Sequence, residues 1–134
     1  MQNILGITMV AAVIACGAAV AAPLTKDEYE AGRKRIAAEA QAERQKCGAR
    51  HGNAADLCIA RARGDLKVAK AELEAAYKPS PRTNYAAAIA RAQAAEAIAK
   101  EECDDKARDM RKACVKEAKA ALERAKAEAL SVRK

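Results

Sequence analysis

Two stretches decide how this chain folds: Cys47-Gly-Ala-Arg-His-Gly-Asn-Ala-Ala-Asp-Leu-Cys58 and Cys103-Asp-Asp-Lys-Ala-Arg-Asp-Met-Arg-Lys-Ala-Cys114. Both have ten residues between their cysteines, and the second starts fifty-six positions after the first. Each lies between long alanine-rich, charged segments with helical periodicity, so each copy reads as two helices folded back at a cysteine-flanked corner. Sliding the chain on itself by fifty-six sets Tyr29 on Tyr85, Arg35 on Arg91, Leu66 on Leu122, and Ala69-Lys70-Ala71-Glu72 on Ala125-Lys126-Ala127-Glu128. Alanine matches mean little in so biased a composition, but cysteines and tyrosines falling together without a gap mark an internal duplication.

Outward from the corners, apolar residues recur every three or four positions. Cys58, Ala62, Leu66, Ala69, Leu73 and Ala76 form one stripe, with Cys114, Ala118, Leu122, Ala125, Ala129 and Val132 as its copy. Tyr85, Ile89, Ala92, Ala99 and Cys103 form another, and Tyr29, Ile36, Ala40 and Cys47 a weaker one. Each is the apolar face of an amphipathic helix. The cysteines therefore point into the seam of each hairpin, where small side chains let backbones approach to the roughly 7 Å a disulfide requires.

Helix boundaries follow from end signals. Thr25-Lys26-Asp27-Glu28 is a capping box that starts the first helix. Gly48 and Gly52-Asn53 end it, with Asn53 expected as the next N-cap. Lys78-Pro79-Ser80-Pro81-Arg82-Thr83-Asn84 reads as a linker, because proline removes a donor and disfavours helix in the residue before it. The organisation expected is a leader over 1–21, a first hairpin over 22–78, a Pro-rich linker over 79–84 and a second hairpin over 85–134. The fold class is all-α: two disulfide-stapled helical hairpins in an antiparallel four-helix arrangement, packed as a bundle or splayed about the linker.

The pairing of the cysteines has two solutions. Local bridges, Cys47 to Cys58 and Cys103 to Cys114, need a corner in each copy. Residues 104–113 hold no Gly, Asn or Pro, and a helix running straight through would part Cys103 from Cys114 by roughly 16 Å, leaving only long-range bridges. Asp104-Asp105 suit a corner better than a continuing helix, so local pairs are expected.

Composition limits what the chain can do. Its 134 residues carry a formal charge of +7, 32% are charged and 51% hydrophobic, much of that alanine, with no Phe or Trp. Alanine contributes little on burial, and small domains with thin cores rely on staples. Met1 to Thr25 bears no charged side chain, and Ile4 to Ala15 is an apolar run the length of a secretory h-region. Ala19-Val20-Ala21 fits signal-peptidase cleavage before Ala22, while Val13-Ile14-Ala15-Cys16 has the form of a lipobox that would acylate Cys16. Either route leaves four cysteines in an oxidising compartment, where an even set forms disulfides.

The sequence offers no catalytic residues, no metal ligands and no cofactor motif. His51 is the lone histidine, and Cys47-x3-His51-x6-Cys58 lacks a fourth ligand and tight cysteine spacing. Ser80 and Ser131 have no base placed beside them. Acids pair with lysines four residues on, as in Glu74 with Lys78, Glu96 with Lys100 and Glu102 with Lys106. Positive charge crowds the first hairpin: Arg44, Lys46, Arg50, Arg61 and Arg63 are the candidate contacts for an anionic surface, near Arg33-Lys34-Arg35. An exported chain without aromatic stacking residues is a poor nucleic-acid binder.

Gly52-Asn53-Ala54-Ala55-Asp56-Leu57-Cys58, Val68-Ala69-Lys70-Ala71-Glu72-Leu73-Glu74-Ala75-Ala76-Tyr77-Lys78-Pro79-Ser80, Cys103-Asp104-Asp105 and Cys114-Val115-Lys116-Glu117-Ala118-Lys119 resemble small exported helical proteins of Gram-negative bacteria. These carry a duplicated cysteine-bounded corner and are sometimes labelled TolA-like or cell-envelope biogenesis proteins. The resemblance implies an envelope location. The functional expectation is a non-enzymatic periplasmic structural, interaction or stress-related protein. The alternative is a basic binding module for lipid headgroups or lipopolysaccharide, lipid-anchored through Cys16 and facing the periplasm. The partner is an envelope protein or an anionic envelope surface, and self-association is one way for so thin a core to be completed.

Overall fold

A computed structural model describes residues 22–131 and 133. The leader cleavage site, Cys16 and Val132 lie outside the described residues. Four helices make up the fold, α1 (Lys26–Cys47), α2 (Asn53–Tyr77), α3 (Pro81–Asp104) and α4 (Arg108–Ser131), with no strand among the described residues.

Capping chemistry sets the starts. Thr25 Oγ1 accepts from the Glu28 amide at 3.3 Å while Glu28 Oε2 accepts from the Thr25 amide at 2.8 Å, the reciprocal box expected for α1. The two bonds the Glu28 carboxylate accepts, from the Thr25 amide foremost and then from the Thr25 hydroxyl at 2.7 Å, hold it below its ordinary pKa. The start of α3 differs from the reading that placed residues 79–84 in a linker. Ser80 is its N-cap, Thr83 returns a bond to the Ser80 amide at 3.0 Å, and Pro81 takes the first helical turn. Proline costs nothing there, since its missing N–H would have had no helical partner. The connection between hairpins shrinks to Lys78, Pro79 and Ser80.

Both local disulfides are present, with Cα separations of 5.6 Å for Cys47–Cys58 and 5.7 Å for Cys103–Cys114. The continuous helix that would have parted Cys103 from Cys114 does not form, because α3 stops at Asp104 and α4 begins at Arg108.

Contacts between helices fix their order. The ring of Tyr29, early in α1, stacks on Tyr77 at the end of α2 (centroids 4.3 Å apart), while Cys47 and Cys58 join the opposite ends. Arg61 pairs with Glu102 at 3.0 Å and Glu72 with Arg91 at 2.7 Å, which lays α3 back along α2. Arg133 covers the Tyr85 ring at 5.4 Å, matching the far end of α4 to the start of α3. Both sulfur bridges thus lie at one end of the molecule, and the tyrosines and the interhelical link at the other.

The four helices neither close into a bundle nor splay about the linker. Each packs only on its neighbour in sequence: Cα atoms of α1 come nowhere within 8 Å of α3 or α4, and α2 stays equally clear of α4. The result is an open row whose most extensive seam is α2 on α3. Composition matches position, for half of α1 and nearly half of α4 is charged, against roughly a third of α2 and α3. The inner helices need two apolar faces. In α3 these are Tyr85, Ala92 and Cys103 toward α4, and Ala87, Ala90 and Ala94 on the opposite side. Gly64 makes the close approach to α3 possible, since a Cβ there would sit 3.0 Å from the Ala94 Cβ. The core is alanine with Ile36, Cys47 and Cys103, and no polar or charged side chain is buried among the described residues.

Candidate functional site: a basic groove on the first hairpin

The fold places the five candidate cations of the first hairpin on more than one surface. Lys46 is tied to Glu43, and Arg61 is spent on Glu102 across the α2–α3 seam. Arg50 and Arg61 share a recess with Glu43 and Asp65 beside the first disulfide, so charge there is mixed. Arg63 is exposed on α2. Arg44 belongs to a different surface, the groove between α1 and α2.

That groove consists of two adjoining recesses of about 720 and 600 Å³ that share Ala37 and Lys70. Leu66, Leu73, Ala37 and Ala40 line it, and both leucines remain partly exposed. Lys34 and Arg44 rise from α1, ten residues apart, and Lys70 rises from α2. Among the described residues none of these three is paired with an acid within 4 Å. The tyrosine end of the groove is neutralised instead: Glu30 pairs with Arg33 at 3.5 Å, and Glu74 accepts from the Tyr29 hydroxyl at 2.7 Å and faces Lys78 at 3.9 Å. The bond to Glu74, aided by partial burial, raises the Tyr29 phenol above its usual pKa.

The corners are built differently. At the first, Gly52 adopts φ 58° and ψ −148°, a conformation open to glycine, and α2 begins at Asn53. Asn53 is therefore not the N-cap expected of it. Its Nδ2 donates at 3.2 Å to the carbonyl of Glu101, one of the acceptors left open at the end of α3. At the second corner Arg111 reaches Asp104 at 2.9 Å, and Arg108 takes the position of Gly52. The expected Glu102–Lys106 helix pair is also replaced, because Lys106 lies beyond α3 and Glu102 turns to Arg61. Glu74–Lys78 and Glu96–Lys100 form as expected.

His51 is exposed at the first corner, and the described residues contain no cluster of three or more His, Cys, Asp or Glu side chains fit to hold a metal ion. No described helix is long and apolar enough to cross a membrane. No protein-family model, curated protein or solved structure matches the chain. The site is thus defined by its own geometry: a shallow trough with an aliphatic floor and three unpaired cations, Lys34, Arg44 and Lys70, along its sides, suited to holding an anionic molecule by contact and charge. Sequence reading passed over Lys34 and Lys70 as contacts. The signal lay in the aligned repeats, where Lys34 stands at the position of Ala90 in the second copy, and Lys67 replaces the Glu123 that would balance Lys70.

Proposed function

We propose that this chain is an exported, non-enzymatic helical protein of the cell envelope, acting in the periplasm as a structural, interaction or stress-related component. The observation that carries this reading is the pair of local disulfides in a duplicated frame, since such bridges persist in oxidising compartments. The open row supports it as well, because an array one helix thick offers other molecules its faces and edges. The uncompensated cations of the first hairpin support a narrower reading, a basic binding module for an anionic partner.

Mass spectrometry of the protein taken from its native cell envelope, intact and after non-reducing proteolysis, tests the location. The expected result is a mature start at Ala22 with Cys47 linked to Cys58 and Cys103 to Cys114. An acylated Cys16 would move the protein to a membrane surface. The Leu24 amide donates to the Ala76 carbonyl at 3.1 Å, so the chain enters at the tyrosine end of the row. An anchored protein would then hold its disulfide end away from the lipid, by about 33 Å along α1 if it stands upright. An unprocessed Met1 with free thiols would overturn the reading.

A further inference from the structure

The second hairpin carries cations at the positions that align with Arg44 and Lys70, and it treats them differently. In the second, Lys100 pairs with Glu96 at 3.6 Å and Lys126 with Glu123 at 2.7 Å. Their counterparts in the first are Arg44 and Lys70, and the positions of the two acids are taken by Ala40 and Lys67. Lys34 adds a third cation where the second hairpin has Ala90. The charge that balances this surface in one copy is absent from the other, above a floor where Leu66 and Leu73 stay partly exposed. Anionic groups and apolar contact are what complete it.

We propose that the α1–α2 groove is a docking site for an acidic amphipathic helix of a partner protein. This rests on the reading of the chain as an interaction protein and names the partner's chemistry. Three features select a helix. The groove extends from Glu30 to Gln45, roughly 22 Å along α1, the length of about four helical turns. Its apolar floor runs between Lys34 and Arg44 on α1 and Lys70 on α2, so a helix laying an apolar stripe on Leu66, Leu73 and Ala37 brings flanking acids to these three cations. A flat lipid surface would meet the walls and leave the floor uncovered. Among the described residues, the exposed large apolar side chains that would suit insertion into lipid, Met110 and Leu130, both lie on α4.

The test uses the full oxidised chain and a fluorescein-labelled peptide of about four turns, with Leu and Ala along one stripe and Glu flanking it. Fluorescence anisotropy should show binding that weakens as salt rises. A peptide of the same composition scrambled to destroy the stripe should bind at least ~10-fold more weakly, since its charges no longer flank an apolar seam. The triple variant Lys34→Glu, Arg44→Glu, Lys70→Glu should lose at least ~10-fold in affinity and gain it back for a peptide with Lys replacing Glu, an exchange that also shows the variant is folded. A charge-matched control on α4, Lys112→Glu, Lys116→Glu, Lys119→Glu, should stay within about twofold, because well-separated surface charges are screened. Equal loss in both triple variants, or equal binding of the scrambled peptide, would reduce the effect to net charge and overturn the docking site. Retention on phosphatidylglycerol vesicles without peptide binding would assign the cations to a lipid surface, and binding to neither would leave the groove without a ligand of this class; each overturns the proposal. In all three cases the export and disulfide evidence would stand, so failure here is separable from failure of the broader reading.

Discussion

The first and second hairpins of this protein derive from one pattern, yet they solve the same three problems with different chemistry. At the corner, the first uses five residues and a glycine at positive φ, and the second uses three residues braced by Arg111 and Asp104. At the open end, Tyr29 meets Tyr77 and Glu74, whereas Tyr85 meets Arg133. On the broad face, the first leaves cations unmatched and the second neutralises them. What stays constant is the disulfide. Divergence is easiest on the outer helices, because α1 and α4 pack only on their own hairpin partners, while the α2–α3 seam ties the two hairpins together.

The disulfides should account for the largest effect. Closing a loop of this size stabilises by about 3 kcal/mol, and a small domain has only about 5–15 kcal/mol in total. Replacing one cysteine pair by serine should cost about that amount whichever hairpin is chosen, and replacing both should leave the chain largely unfolded at 37 °C. Urea titration followed by circular dichroism measures this. A markedly smaller loss at Cys103–Cys114 would show that the Arg111–Asp104 brace already holds the second corner, breaking the equivalence of the two staples.

The corner backbones come next. Gly52→Ala forces a side chain into a conformation that costs roughly 1–3 kcal/mol for other residues. Arg108→Gly, at the aligned position but in the first turn of α4, should cost no more than about 1 kcal/mol, the helix-propensity loss of a glycine. Equal effects would mean that the first corner rearranges freely around its disulfide.

How far the sequence anticipated these features depends on whether each is decided locally. Cysteine spacing, the Thr25 capping box and the Tyr29 and Cys47 stripe depend on residues near in sequence, and they appear as read. The row arrangement was harder to see because the second apolar faces of α2 and α3 are built from alanine and Gly64, which give little periodic contrast in a chain so rich in alanine. Ser80 as a cap was hidden by its flanking prolines, which mark a break without saying on which side the helix resumes. The pairing of the candidate cations was only half legible, because the partners of Lys46 and Arg61 differ in kind. Glu43 is three residues from Lys46, while Glu102 becomes visible only once α3 lies along α2.

A compensating pair in the seams gives a smaller effect. Gly32 lies under Leu73, and a Cβ there would sit 2.7 Å from Leu73 Cδ1; the second hairpin has Ala88 and Ala129 at these positions. Gly32→Ala alone should be close to neutral, because a gain in helix propensity of about 1 kcal/mol is offset by displacing the leucine. Made together with Leu73→Ala, the same change should stabilise by about 1 kcal/mol, a coupling that a double-mutant cycle in urea measures. No coupling would mean that the flexible leucine tip swings clear, and that the two seams do not differ in packing.

The subtlest contrast is between the tyrosines. The phenol of Tyr29 donates to the Glu74 carboxylate, and losing its proton would set two anions against each other. The hydrogen bond first, and partial burial second, therefore raise its pKa above 10. In the second hairpin the position of Glu74 is occupied by Leu130, and an arginine covers the ring of Tyr85. Because the folded state favours the protonated phenol, the contribution of Tyr29 to stability is complete below its unfolded pKa near 10 and is lost as pH rises through the higher folded value. Phenolate absorbance in an alkaline titration should therefore contain a step above the ordinary phenol range that Tyr29→Phe removes. Glu74→Gln should move that step earlier, since the amide still accepts the bond but carries no charge. A raised step that persists in Tyr29→Phe, or that Glu74→Gln leaves in place, would show that the Glu74 carboxylate does not hold this phenol and would remove the contrast at the open ends.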